Sequence, residues 1–242
     1  MSFAGSTEND GLANHKIDAS VLQVMDVLEQ AQRVGVIAVE ETPTVFIVDD
    51  DVETREQVCA LVDTLGFAAE SYADARSFLR TIKPGRIGCL VLDARLEGMS
   101  GIELLAELTA RKISIPVIIT TGYVETRLII DSMKAGAYDV VEKPIKHDRL
   151  GESIRQAVDR HLEVLKAQMD SKEIRRRYSH LTPREREVLE LVVQGLSTKA
   201  IAIRLGLQIK TVEAYRWRIK GTMEARNAAD LVRLVNQISD QM

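Results

Sequence analysis

Cys89-Leu-Val-Leu-Asp93-Ala-Arg-Leu-Glu-Gly-Met-Ser-Gly101 is an apolar run closed by a carboxylate and followed by a loop with two glycines. Ile87 to Leu92 is rich in β-formers and does not alternate with polar residues, the pattern of a strand buried on both faces. Thr44-Val-Phe-Ile-Val48 repeats that pattern and ends on Asp49-Asp50-Asp51. Around these two runs strand and helix patterns alternate. A helix is expected over Val52 to Leu65, a strand over Phe67 to Tyr72 and a helix over Asp74 to Ile82. After the Asp93 strand come a helix over Ile102 to Arg111, a strand over Ile115 to Thr120 and a helix over Glu125 to Ala135. A fifth strand over Tyr138 to Glu142 precedes a long helix starting near Asp148. Five βα units predict an α/β doubly wound five-stranded parallel sheet with right-handed crossovers. Ligands of such sheets bind outside the carboxyl ends of the strands, where Asp93 stands.

A chain of 242 residues with 45% hydrophobic and 28% charged content reads as one or two soluble domains. No run approaches 18 apolar residues and the first residues have no leader pattern, so a cytoplasmic protein without membrane contact is expected. Cys59 and Cys89 fall in helix and strand patterns as small hydrophobes, without metal-ligand spacing. The net charge of −4 is unevenly spread. Residues 171–242 hold 14 Lys and Arg against 8 Asp and Glu, a balance of +6, which leaves −10 for residues 1–170. Only the last part is suited to a polyanion.

Residues 1–42 form an N-terminal extension in which Ile17, Val21, Val24, Met25, Leu28 and Ala31 recur at helical spacing. The doubly wound domain occupies 43–158. A helical linker follows over 159–176, where Val158, Leu162, Leu165 and Met169 continue at a 4-3-4 spacing that suits a short coiled coil. Residues 177–242 read as a separate small all-α domain. Thr182-Pro183 with Glu185, and Ser197, mark helix starts, while Gly206 and Asn227 mark breaks.

Asp49 and Asp50 end the first strand, Asp93 the third, Thr120 and Thr121 the fourth, and Lys143-Pro144 the fifth. In a parallel sheet these ends share one edge. Clustered carboxylates repel unless a cation joins them, and oxygen ligands with open water positions suit Mg²⁺. A carboxylate beside Mg²⁺ can attack a phosphoryl group, with the metal, a lysine and a hydroxyl neutralising the phosphoryl oxygens. Taken singly, the same residues are ordinary helix caps and a surface lysine.

With these residues in place, positions 44 to about 165 resemble a response-regulator receiver domain of two-component signalling, a flavodoxin-like fold. The resemblance implies that Asp93 is the phosphoacceptor and that Thr121 and Lys143 stabilise the phosphoryl group. It implies a cis Lys143–Pro144 bond, and Mg²⁺ bound by Asp50, Asp93 and the carbonyl of Arg95, with Asp49 acting through water. Two positions depart from the family: Glu97 stands where a proline is frequent, and Val140 where a switch aromatic precedes the lysine by three. Tyr138 lies two residues further back with the same expected strand parity.

Leu181-Thr-Pro-Arg-Glu-Arg-Glu-Val-Leu-Glu-Leu-Val-Val-Gln-Gly-Leu-Ser197 opens a second resemblance. It continues through Lys199, Ile201-Ala202, Thr211-Val212-Glu213 and Leu231-Val-Arg-Leu234, to LuxR-type helix-turn-helix domains, and the pairing with a receiver is similar to the FixJ branch (FixJ/NarL-like). Two short helices broken at Gly206 suit a major-groove reader. Lys199, Lys210, Thr211, Arg216, Arg218 and Lys220 are candidate DNA contacts, mostly to phosphates, while Glu213, Ala214 and Trp217 share a face and are candidates for base edges. Trp217 reads alternatively as core. Ala200 and Tyr215 replace the family's usual Glu and His.

The expected function is a phosphorylation-activated regulator of transcription. It would receive its phosphoryl group from a sensor histidine kinase, dimerise, bind a promoter operator in double-stranded DNA and meet RNA polymerase. Two alternatives are an aspartyl-phosphate-forming phosphatase or phosphotransferase and a phosphorylation-dependent adaptor. A phosphatase would usually need a second carboxylate two residues after its nucleophile, where this chain has Arg95.

Overall fold

The protein is described by a computed structural model over residues 42–122 and 126–239. The N-terminal stretch whose residues Ile17 to Ala31 recur at helical spacing lies outside these residues. Strand β1 (Thr44–Val48) leads into α1 (Val52–Thr64), then β2 (Ala68–Tyr72), α2 (Ala75–Thr81) and β3 (Gly88–Asp93). Next come α3 (Gly101–Ala110), β4 (Val117–Thr121), α4 (Thr126–Lys134), β5 (Asp139–Glu142) and the long α5 (His147–Ser179). The five strands are parallel in the order β2-β1-β3-β4-β5. The order reverses direction between β1 and β3, so the crevice at the ends of those two strands is the topological switch point.

The apolar runs explain both layers. β1 and β3 are buried at every position, and their side chains alternate between the two faces. Val45, Ile47, Cys89 and Val91 pack with Val58, Leu61 and Val62 of α1 and with Leu150, Ile154 and Val158 of α5. Phe46, Val48, Leu90 and Leu92 pack on the other face with Phe78 of α2 and Leu104 and Leu108 of α3. Burial raises the Cys89 thiol pKa far above its ordinary value, which leaves the residue an inert hydrophobe. Gly88 is required where β1 and β3 begin to pair: a Cβ there would lie 1.7 Å from the Thr44 carbonyl oxygen. The caps are local. Asp51 accepts from the amides of Glu53 and Thr54, and Ser100 and Glu103 form a reciprocal capping box.

The C-terminal region is a separate cluster built from α6 (Pro183–Val193), α7 (Thr198–Leu205), α8 (Ile209–Thr222) and α9 (Ala228–Ser239). Thr182 and Glu185 cap α6 reciprocally with Pro183 in its first turn, and Gly206 closes α7 in the left-handed conformation at φ 65°. Helix α5 joins the two parts without interruption. At 33 residues it is about 50 Å long.

Two expectations need correction. Leu162, Leu165 and Met169 are buried against the receiver-side cluster and Ile174 in the C-terminal one, so the stripe that suits a coiled coil is covered by its own chain. The fifth strand begins at Asp139 because the backbone bends at Tyr138. Tyr138 therefore packs on the cluster of one sheet face and Val140 on the other, and the expected shared parity is lost. Among the described residues no helix is long and apolar enough to cross a membrane.

Candidate functional site: a lysine-bridged acidic crevice

At the switch point the strand-end residues converge. Lys143 follows β5 through a cis bond to Pro144. Its ammonium donates to Asp49 Oδ2 at 2.8 Å and to Asp93 Oδ2 at 2.6 Å. Asp49 is 2% exposed and Asp93 8%. The remaining oxygen of each is held by backbone: the amide of Asp51 donates to Asp49 Oδ1 at 3.0 Å and that of Arg95 to Asp93 Oδ1 at 3.0 Å. Asp50 points to solvent, yet one oxygen from each of Asp49, Asp50 and Asp93 lies within 4.8 Å of the other two. Thr121 is buried at the end of β4, one residue beyond the Thr120 that pairs with Asp93. Its carbonyl accepts from the Lys143 amide at 2.7 Å.

The sequence gives no clear sign of the Arg55 clamp. Its guanidinium donates to the carbonyls of Asp49 at 2.7 Å and Asp50 at 3.0 Å, fixing the loop that presents both carboxylates. Arg55 lies one helical turn after the acidic run, a spacing that any exposed helix arginine shares.

Electrostatics follow from burial. Desolvation raises the Asp49 pKa above the usual carboxylate value although Lys143 opposes it. Burial also works against the Lys143 charge, but its bonds to Asp49 and Asp93 outweigh that and hold its pKa above the ordinary lysine value. The crevice is thus an anionic site with one fixed cation, and its three carboxylates with one open, solvated side fit a hard divalent ion. Val140, where a ring is absent, lines a neighbouring cavity of about 550 Å³ together with Ile129, Lys143 and Pro144.

In the C-terminal domain α8 divides cleanly. Val212, Ile219 and Met223 are buried. Glu213, Ala214 and Trp217 are exposed on another side, Trp217 by 77%, so Trp217 is not core. Lys199, Lys210, Arg218 and Lys220 are exposed, while Thr211 and Arg216 are half-buried. Arg218 is also held within its own domain: it lies 3.5 Å from Glu185 and stacks over Tyr215 at 4.8 Å. Arg184 donates to the Leu205 carbonyl at 2.9 Å and so ties α6 to the turn before α8. Neither link could be read from spacing, because each crosses between helices.

Comparison with known proteins agrees with these two parts. The family model of the response regulator receiver domain matches residues 45–155, and that of bacterial regulatory proteins of the luxR family matches 179–235. Residues 1–44 lie outside both. The transcriptional regulatory protein FixJ of Bradyrhizobium diazoefficiens is 36% identical over 190 residues, covering 78% of this chain and 93% of the relative. FixJ of Rhizobium meliloti is 39% identical over 192 residues, 79% of this chain and 94% of the relative. The solved structure of the response regulator StyR superposes with a TM-score of 0.72 at 38% identity, over 81% of this chain and 99% of that one.

Removing the bridge exposes its role. Lys143→Met leaves two poorly solvated carboxylates without their cation, which should cost up to about 3 kcal/mol at pH 7. In the folded parent desolvation raises the Asp49 pKa, so the folded chain holds the carboxyl proton more tightly than the unfolded chain does. Its contribution is favourable at low pH and is lost as pH rises through the folded value. The loss in Lys143→Met should accordingly shrink as pH falls towards 5 and one carboxyl takes a proton. Urea melts of both proteins at pH 7 and pH 5 check this. An equal loss at both would contradict the electrostatic account.

Proposed function

The chain belongs to the FixJ-type response regulators, phosphorylation-dependent regulators of transcription, and from that premise we propose that Asp93 is its phosphoacceptor. The observation that carries this is the ammonium of Lys143 bridging Asp49 and Asp93 beside a third carboxylate. An Asp93 oxygen attacks phosphorus in the donor, a sensor histidine kinase or a small phosphodonor, and the donor's bond to phosphorus breaks. Lys143 then exchanges a carboxylate contact for a phosphoryl oxygen, and the Thr121 hydroxyl hydrogen-bonds another. Asp50, Asp93 and the Arg95 carbonyl would hold Mg²⁺, with Asp49 acting through water. Bound there, such an ion would supply positive charge to the phosphoryl oxygens. Arg95 in place of a second carboxylate supports a signalling role over a turnover phosphatase.

We further assign residues 43–158 to the receiver, 159–176 to the linker and 177–242 to the DNA-binding domain. Phosphorylation drives a homodimer through the face of α4, β5 and α5, where Ile130 and Met133 are 45% and 48% exposed. A two-fold dimer meets operator half-sites about one helical turn apart, next to which RNA polymerase can be contacted. On α8, Glu213 accepts from a cytosine amino group and Ala214 or Trp217 touches a thymine methyl, while Lys199, Lys210, Thr211, Arg216 and Lys220 contact phosphates. Arg218 joins them only in competition with Glu185 and Tyr215.

Incubation with a small phosphodonor and Mg²⁺ should add one phosphoryl mass to the parent, none to Asp93→Asn, and little to Asp50→Asn. Intact-mass spectrometry reads this, and a normal adduct on Asp93→Asn would refute the assignment. For DNA, Trp217→Ala should stay within about 0.5 kcal/mol of the parent stability, as an exposed position does. It should lose roughly 1–3 kcal/mol on the specific duplex and little on random DNA. A large stability loss with unchanged specificity would remove Trp217 from the interface.

A further inference from the structure

Beneath the opposite, N-terminal edge of the sheet, α5 walls a groove between Arg160 and Gln168. Two adjoining cavities of about 610 and 180 Å³ share the segment 112–115 and His161 as common wall. The floor is apolar, with Leu105, Leu108 and Val164. The rim is basic, with Lys83, Lys112 and Arg160, and among the described residues no carboxylate lines either cavity. Neither Lys83 nor Lys112 is ion-paired among the described residues. Arg160 lies 3.1 Å from Glu163, with both side chains over 60% exposed, a contact largely screened by water.

The start of the described chain lies close to this groove. The Thr44 hydroxyl donates to the Thr42 carbonyl at 3.3 Å and accepts from Arg86 at 3.2 Å, and Arg86 lines the smaller cavity. Thr42, the first described residue, is thus two hydrogen bonds from a side chain that lines the groove, and the same Arg86 nitrogen also pairs with Glu70 of β2 at 2.8 Å. The stretch before Thr42, residues 1–41, holds 7 Asp and Glu against 2 Lys and Arg, a balance of −5, and bears the apolar stripe Ile17, Val21, Val24, Met25, Leu28, Ala31. As a helix, 17–34 would be about 27 Å long. The tether 35–41 spans at most roughly 25 Å, short enough to give a millimolar effective concentration.

We propose that residues 17–34 dock in this groove of their own chain, with the apolar stripe on its floor and Asp18 and Glu29, which flank that stripe at helical spacing, towards the Lys83, Lys112 and Arg160 rim. The segment braces α5 where the helix leaves the receiver for the DNA-binding domain, so it sits on the link between phosphorylation and output. Both family matches begin after it, so it adds a restraint that the shared architecture does not supply.

The test uses the full chain with the photo-cross-linking residue p-benzoylphenylalanine in place of Val24, as an equal mixture of isotopically light and heavy protein. Mass spectrometry of the digest should place the main adduct on peptides 105–116 or 160–168, within one isotopic form. Lys112→Glu, at an exposed position, should lower its yield at least fivefold, and Lys210→Glu in the helical domain should not change it. Adducts mainly between light and heavy chains would mean a second copy is the occupant and would overturn the proposal. Adducts on the helical domain, or a yield indifferent to Lys112→Glu, would overturn it too.

Discussion

Two carboxylates at the ends of adjacent parallel strands, Asp49 and Asp93, stay together because one ammonium from the far strand lies between them. Lys143 reaches both at hydrogen-bond distance, and without it the burial of Asp49 would favour a proton over a charge. The rest of the receiver can be understood from this constraint. The strand order brings the ends of β1 and β3 side by side at the reversal, β5 must close the sheet to deliver Lys143, and the Arg55 clamp keeps the acidic loop from springing away. A site built this way is poised: any group that adds negative oxygen at Asp93 competes for the same lysine.

A change at that lysine has a short physical route outward. Lys143 stands between β5 and α5, whose first half packs in the receiver core and whose last turns enter the C-terminal core. The two domains are therefore joined by a rigid rod, not by a loop. In the C-terminal domain the contacts of Arg184 with Leu205 and of Arg218 with Glu185 fix α7 and α8 against α6. The face bearing Glu213 and Trp217 is then presented by packed helices.

The fold was largely legible in the sequence because buried parallel strands write themselves as unbroken apolar runs, and this chain ends three of them on chemistry-bearing residues. Asp49, Asp93, Thr121 and Lys143 could be placed on one edge from topology alone. What could not be read depends on contacts between elements. Tyr138 looked like a strand residue because aromatic residues favour strands, but the backbone bends there before β5 begins. The stripe from Val158 to Met169 fits a partner helix or its own sheet equally well by spacing, and only packing decides between them. Glu185 and Arg218 meet across helices, and Arg55 bonds backbone carbonyls of the loop before its own helix, so none of them leaves a periodic trace.

The claim on which this account rests is that a phosphoryl group on Asp93 changes how the distant helix α8 meets DNA. Its most direct measurement is the affinity of the full chain for a duplex selected from genomic DNA, at fixed salt, before and after complete phosphorylation. The account predicts binding at least about tenfold tighter after phosphorylation, a difference near 1.4 kcal/mol, with Asp93→Asn remaining at the unphosphorylated value under both conditions. Equal affinity of the phosphorylated and unphosphorylated protein, with the phosphoryl group verified on Asp93, would contradict it.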